Sequence, residues 1–134
     1  MPYHTNTTGP DDNGFIDALK KALSLAIKDG TNEVLISTHT LDNLEGVISN
    51  VLGENFVKSF KKNRKTSVEG VTIFLETERT KSAFKKGPIL GPFVSLKLLN
   101  KLMSDYRATD IVYVPWAPKE RDQFLQENPG SVQI

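Results

Sequence analysis

The stretch Gly70–Glu76, GVTIFLE, limits what this chain can become more than any other. Val71, Ile73 and Leu75 occupy one face of an extended chain, and Phe74 makes the opposite face apolar as well. A short β-branched and aromatic run with two apolar faces suits a strand covered by helices on both sides. Two further runs repeat the theme, Glu33–Thr38 and Ile111–Val114. Each is followed by a stretch with helical spacing, and a helix also precedes the first. Phe15, Ala18, Leu19, Ala22, Leu23 and Ala26 predict a helix over 14–28, with Asp11, Asp12 or Asn13 as cap and Gly30 as terminator. Leu44, Val47, Ile48, Val51 and Leu52 predict the next, capped at Asp42 or one turn earlier at Thr40. Phe56 and Phe60 suggest a short helical turn. Pro92, preceded by Gly91, is read as the start of a helix carrying Leu96, Leu99 and Met103. Pro118 starts the last one.

Alternation of strands with helical crossovers argues for a parallel sheet. The fold expected is a small three-layer Rossmann-like α/β sandwich with a mainly parallel sheet of three to five strands. The three runs form its core, and Thr66–Val68 and Ser131–Ile134 are candidates to widen it. Residues 1–13, polar and turn-rich, read as a flexible leader, and 14–134 as a single α/β domain. At 134 residues a domain buries about two-thirds of its unfolded surface.

Composition removes several classes of function. The absence of cysteine excludes disulfides, thiolate catalysis and Cys-based metal sites. His4 and His39, the two histidines, stand 35 positions apart with no metal-ligand spacing, so neither a metal nor a cofactor is expected. No apolar run approaches the ~20 residues of a membrane span, and the N-terminus lacks a signal-peptide pattern. A cytoplasmic protein without membrane contact is the expectation. No phosphate-loop or dinucleotide fingerprint occurs. No group of residues resembles a nucleophile–base–orienter set, so no catalytic residue is named and an enzyme ranks last.

Charge is unevenly spread. Residues 1–54 hold three Lys/Arg against eight Asp/Glu, whereas residues 55–107 hold twelve against four. The basic third contains Lys58, Lys61, Lys62, Arg64 and Lys65, with no acidic residue from Asn55 to Val68. That run is a candidate patch for an acidic protein partner, and otherwise a solvated face. No zinc-finger spacing, aromatic ladder or RNA-recognition motif accompanies it, which argues against nucleic acid.

Ligands of open α/β sheets bind outside the carboxyl ends of the strands. Those ends deliver Thr38, His39 and Thr40, then Thr77 and Arg79, then Trp116. Lys85 and Lys86 are placed with them as part of a basic loop leading to the helix at Pro92. Basic side chains beside a helix N-terminus attract anions. The expected function is non-enzymatic binding of a nucleotide-like or phosphorylated small molecule at this edge. The alternative is a regulator or inhibitor module that uses the 58–65 patch.

Overall fold

In the computed structural model, which describes residues 2–134, the three apolar runs lie parallel in one sheet. Their inner faces alternate. Val34, Ile36, Val71, Ile73 and Leu75 join one buried cluster, whereas Leu35 and Phe74 join another across the sheet. Burial of alternate residues on opposite faces follows from the two-residue period of a strand.

Among the described residues, seven strands and five α-helices follow in chain order. They are β1 (Pro2–His4), α1 (Asp12–Asp29), β2 (Glu33–Ser37), α2 (Val47–Leu52), α3 (Glu54–Asn63), β3 (Lys65–Val68), β4 (Val71–Glu76), β5 (Gly87–Pro92), α4 (Leu96–Met103), β6 (Ala108–Val114), α5 (Pro118–Glu127) and β7 (Val132–Gln133). A 3-10 turn, Leu41–Leu44, precedes α2. The strand order is β3-β4-β2-β5-β6-β1-β7, parallel except for β3, which runs antiparallel to β4 at one edge. Residues of α1, α2 and α3 pack on one face of the sheet, and residues of α4 and α5 on the other.

Local signals place most helices. Asp11 accepts the Gly14 N–H at 2.8 Å to start α1, and Gly30, at φ 76°, closes it. Thr40 stands before the 3-10 turn, its N–H bonded to the Asn43 side chain. Pro118 is the first residue of α5.

Two expectations fail here, and the sheet is wider than three to five strands. The stretch Gly87–Pro92, read as a hinge leading into a helix, is β5, buried throughout between β2 and β6. Its prolines sit near the strand's two ends, with a register shift at Gly87/Pro88, where a missing N–H disturbs the ladder least. Its glycines answer to close approach. A Cβ on Gly87 would lie 2.1 Å from the Glu33 carbonyl oxygen, and one on Gly91 would press on Val94 and Leu102 of the α4 region. The following helix therefore starts at Leu96, with Ser95 accepting the Leu98 N–H, rather than at Pro92. The second failure concerns the leader. Residues 2–4 form β1, which pairs with both β6 and β7, and residues 12–13 belong to α1. His4 is buried, and its Nδ1 lies 2.7 Å from the Ser131 hydroxyl.

The connection from β4 to β5 contains no helix. Residues 77–86 cross the α4 side of the sheet, anchored by buried Phe84, whose ring lies 6.1 Å from that of Phe74. An ion network pins this segment. Arg107 donates to Glu76 at 2.8 and 2.9 Å and to Asp105 at 2.8 Å, while the Ser82 hydroxyl donates to Glu76 at 2.7 Å. The Arg107 guanidinium also stands over the Phe84 ring. Burial alone would raise the Glu76 carboxyl, but the hydrogen bonds from Arg107 and Ser82 together hold it below the usual carboxylate range. The same guanidinium, chiefly by hydrogen bonding, lowers Asp105.

Candidate functional site

Six of the seven strands run parallel, so their carboxyl ends share one edge. Two of the clefts that open there bear on the residues that sequence spacing grouped. The larger, about 510 Å³, is bordered by His39, Thr40, Leu41, Asp42, Arg64, Thr77, Glu78, Arg79 and Thr80. Two strand ends build it: β2 leads into Thr38–Thr40, and β4 into Thr77–Thr80. The ends are tied together by Thr38 N–H to the Glu76 carbonyl at 3.0 Å and Glu78 N–H to the His39 carbonyl at 3.4 Å.

Within the cleft the threonines form a directed set. The Thr77 and Thr80 hydroxyls stand 2.8 Å apart. Arg64 Nη1 donates to the Thr80 hydroxyl at 2.9 Å, and its Nε donates to the Lys61 carbonyl at 2.7 Å. The backbone N–H of Arg79 points to the Thr77 hydroxyl at 3.4 Å, and its side chain is exposed. Thr38 is buried, and its hydroxyl is spent on the Thr40 carbonyl at 2.9 Å, so it serves the turn rather than the cleft.

His39 faces two ways. Its Nε2 accepts the Ser95 N–H at 3.0 Å, and Nδ1 lies 3.4 Å from Glu78 Oε1. A ring nitrogen that accepts a backbone N–H carries no proton, so the proton of the neutral ring sits on Nδ1, toward Glu78. This contact joins the β2 end to the start of α4. The cleft holds Arg64 and Arg79 against Asp42 and Glu78. The formal charges of the cleft therefore balance.

The structure divides the residues that sequence spacing grouped. His39, Thr40, Thr77 and Arg79 line one cleft. Trp116 lines the second, which shares only Asp42 with the first. Lys85 and Lys86 are at the opposite edge of the sheet: they precede β5, and the Lys85 N–H donates to Glu33, the first residue of β2, at 2.8 Å. Because Gly87–Pro92 is a strand parallel to β4, the chain has to return to the amino edge before it begins. That return carries the two lysines away from Arg79. The patch also divides. Lys61 pairs with Glu45, Arg64 ends α3 in a left-handed conformation and enters the cleft, and Lys58, Lys62 and Lys65 remain exposed.

Among the cleft residues that sequence reasoning placed elsewhere or passed over, which include Leu41 and Asp42, Arg64 and Thr80 belong to its hydrogen-bonded set. Arg64 follows the last residue of a basic helix and precedes a strand, so nothing local distinguishes it from its lysine neighbours. The recurrence of threonine at 77 and 80 beside an arginine was the available signal for Thr80. Among the described residues no group of three or more His, Cys, Asp or Glu is placed to hold a metal ion, and no helix is long and apolar enough to cross a membrane. Comparison with protein-family models, with curated proteins and with solved structures finds no match for this chain.

Proposed function

We propose that this protein binds an anionic small molecule, nucleotide-like or phosphorylated, in the His39–Arg79 cleft at the carboxyl edge of a three-layer Rossmann-like sandwich, without catalysing a reaction. One observation carries the reading: Arg64 and Arg79 converge with Thr40, Thr77 and Thr80 on a single cleft beside the ends of β2 and β4. Guanidinium groups hold phosphate through paired, charge-assisted hydrogen bonds, and hydroxyls supply further donors. Arg64 is already oriented by Lys61 and Thr80, which reduces the ordering needed on binding. Arg79 is the exposed partner that would close on the ligand. His39, held by Ser95, is assigned to positioning the cleft wall.

The test is a thermal-shift and calorimetric series with inorganic phosphate, nucleoside monophosphates, the matching nucleosides and phosphosugars. A ligand specific to the folded state raises Tm by mass action. Phosphorylated compounds are expected to bind and bare nucleosides to bind less. Arg79→Ala is expected to lower affinity by about tenfold or more, with Tm of the free protein unchanged. Indifference of Tm to every phosphorylated compound refutes the reading. A regulator module for an acidic protein then takes precedence, resting on exposed Lys58, Lys62 and Lys65, and joint replacement of those three by glutamine should abolish its binding.

A further inference from the structure

On the other side of Asp42 lies the second cleft, about 370 Å³, whose chemistry is opposite to that of the first. Its apolar boundary includes Trp116, Phe93 and Pro92, and its polar boundary includes Asp42 and Glu45. No lysine, arginine or histidine borders it. The Phe93 and Trp116 rings stand 5.5 Å apart at 82°, forming a corner. The corner is fixed by backbone hydrogen bonds: the Trp116 carbonyl accepts the Gly9 N–H at 2.6 Å, and the Phe93 N–H donates to the Val114 carbonyl at 2.8 Å. Trp116 is the chain's sole tryptophan and is nevertheless 48% exposed. Glu45 is engaged by Lys61, whereas the Asp42 carboxylate has no hydrogen bond or ion pair among the described residues.

An anion placed here would meet the free Asp42 carboxylate, and the nearby Lys61 ammonium is spent on Glu45. A neutral apolar group would gain contact with the rings but nothing from Asp42. A cation gains from both, because the negative face of an indole attracts positive charge. The kind of cation follows from what the cleft lacks. A bare ammonium presents three N–H donors and needs several acceptors to replace its water, and only one carboxylate is free. An alkylated ammonium has few or no N–H donors and instead offers methyl surface to proline and aromatic walls. We propose that the Trp116 cleft binds an alkylated ammonium group, carried by a small organic cation or by a methylated lysine side chain. The two clefts meet at Asp42 alone, and neither ring borders the anion cleft.

Because Trp116 is the only tryptophan, its fluorescence reports on this cleft alone. The experiment titrates the full chain with choline, with its neutral isostere 3,3-dimethylbutanol, and with a short peptide bearing trimethyllysine. Saturable spectral change is expected with choline or the peptide and not with the isostere. Asp42→Asn should weaken cation binding by about fivefold, in keeping with a partly exposed charge. Trp116→Leu, followed by calorimetry, should remove it. Choline binding at least as tight as the peptide assigns the site to small molecules, and tighter peptide binding assigns it to a protein-borne side chain. Equal binding of the isostere, an Asp42→Asn variant that binds choline unchanged, or no saturable response to either cation overturns the proposal.

Discussion

Replacing Arg107 by leucine should expose how strongly the β4–β5 connection depends on one ion network. The Glu76 side chain is 3% exposed and that of Arg107 11% exposed. Arg107 supplies two of the hydrogen bonds to Glu76 and two more to Asp105 from its side chain, leaving Glu76 with Ser82 and, at 3.9 Å, the exposed ammonium of Lys81 once it is gone. Breaking a buried pair by removing one partner costs about 3–5 kcal/mol, because the remaining charge stays desolvated. That is a large fraction of the ~5–15 kcal/mol that holds a typical domain folded. The loss should depend on pH with a definite sign. In the native protein the Glu76 and Asp105 pKa values are depressed. Their contribution is therefore present above the unfolded carboxylate range, near pH 4, and is lost as pH falls through the lower folded values. In Arg107→Leu the guanidinium bonds that oppose the burial of Glu76 are gone, so its carboxyl rises from its native value and takes up a proton more readily than in the native protein. The variant should differ from the native protein by about 3–5 kcal/mol at pH 7 in urea unfolding, and by less at about pH 3, the difference shrinking further as pH falls through the lowered native values. Glu76→Gln combined with Arg107→Leu should recover part of the loss at pH 7. A difference below about 1 kcal/mol at pH 7, typical of a surface pair, would refute the buried-network argument. An equal difference at both pH values would refute its electrostatic origin.

Gly87→Ala should destabilise by about 1–3 kcal/mol or more, read as a lower urea midpoint, because the new methyl meets the Glu33 carbonyl oxygen at 2.1 Å. A neutral effect would mean that β5 can move away from β2 at little cost. Leu75→Ala, at a residue 1% exposed beneath the cleft, should cost about 2–5 kcal/mol; a loss under about 1 kcal/mol in the same assay would contradict its place in the core. Burial lowers the His4 pKa, so the unfolded chain binds a proton more readily than the folded one. Its contribution should be complete above about pH 6.5 and fall as the pH drops through the folded value. In His4→Asn that part of the decline between pH 7 and 5 should disappear, and an identical pH profile for the two proteins would count against it.

The candidate site was legible in part. His39, Thr40, Thr77 and Arg79 follow strands whose apolar character is written in adjacent residues, so their arrival at one edge needed only parallel pairing. Lys85 and Lys86 were misplaced for one reason. A GPILGP run resembles a turn by composition, and its strand state depends on what lies beside it. Trp116 was correctly put past a strand end, but strand order sets its neighbours. Two strands, β2 and β5, separate β4 from β6, so Trp116 and Arg79 open on different clefts.

Local chemistry determined the α/β class, the helix caps at Asp11 and Gly30, the start of α5 at Pro118, and the parallel direction of the three apolar strands. Each rests on interactions between residues close in sequence or on a periodicity that any partner surface would have to satisfy. Tertiary structure alone decided that Pro2–His4 and Gly87–Pro92 are strands, that Arg64 leaves a basic run to join a threonine cleft, and that Glu76 finds Arg107 31 positions away. Those outcomes depend on hydrogen-bond partners and excluded volume supplied from elsewhere in the chain. Propensity cannot foresee them: Gly87 is needed because the Glu33 carbonyl oxygen leaves no room for a Cβ, and Pro88 and Pro92 are tolerated near the strand's ends, where a missing N–H disturbs the ladder least.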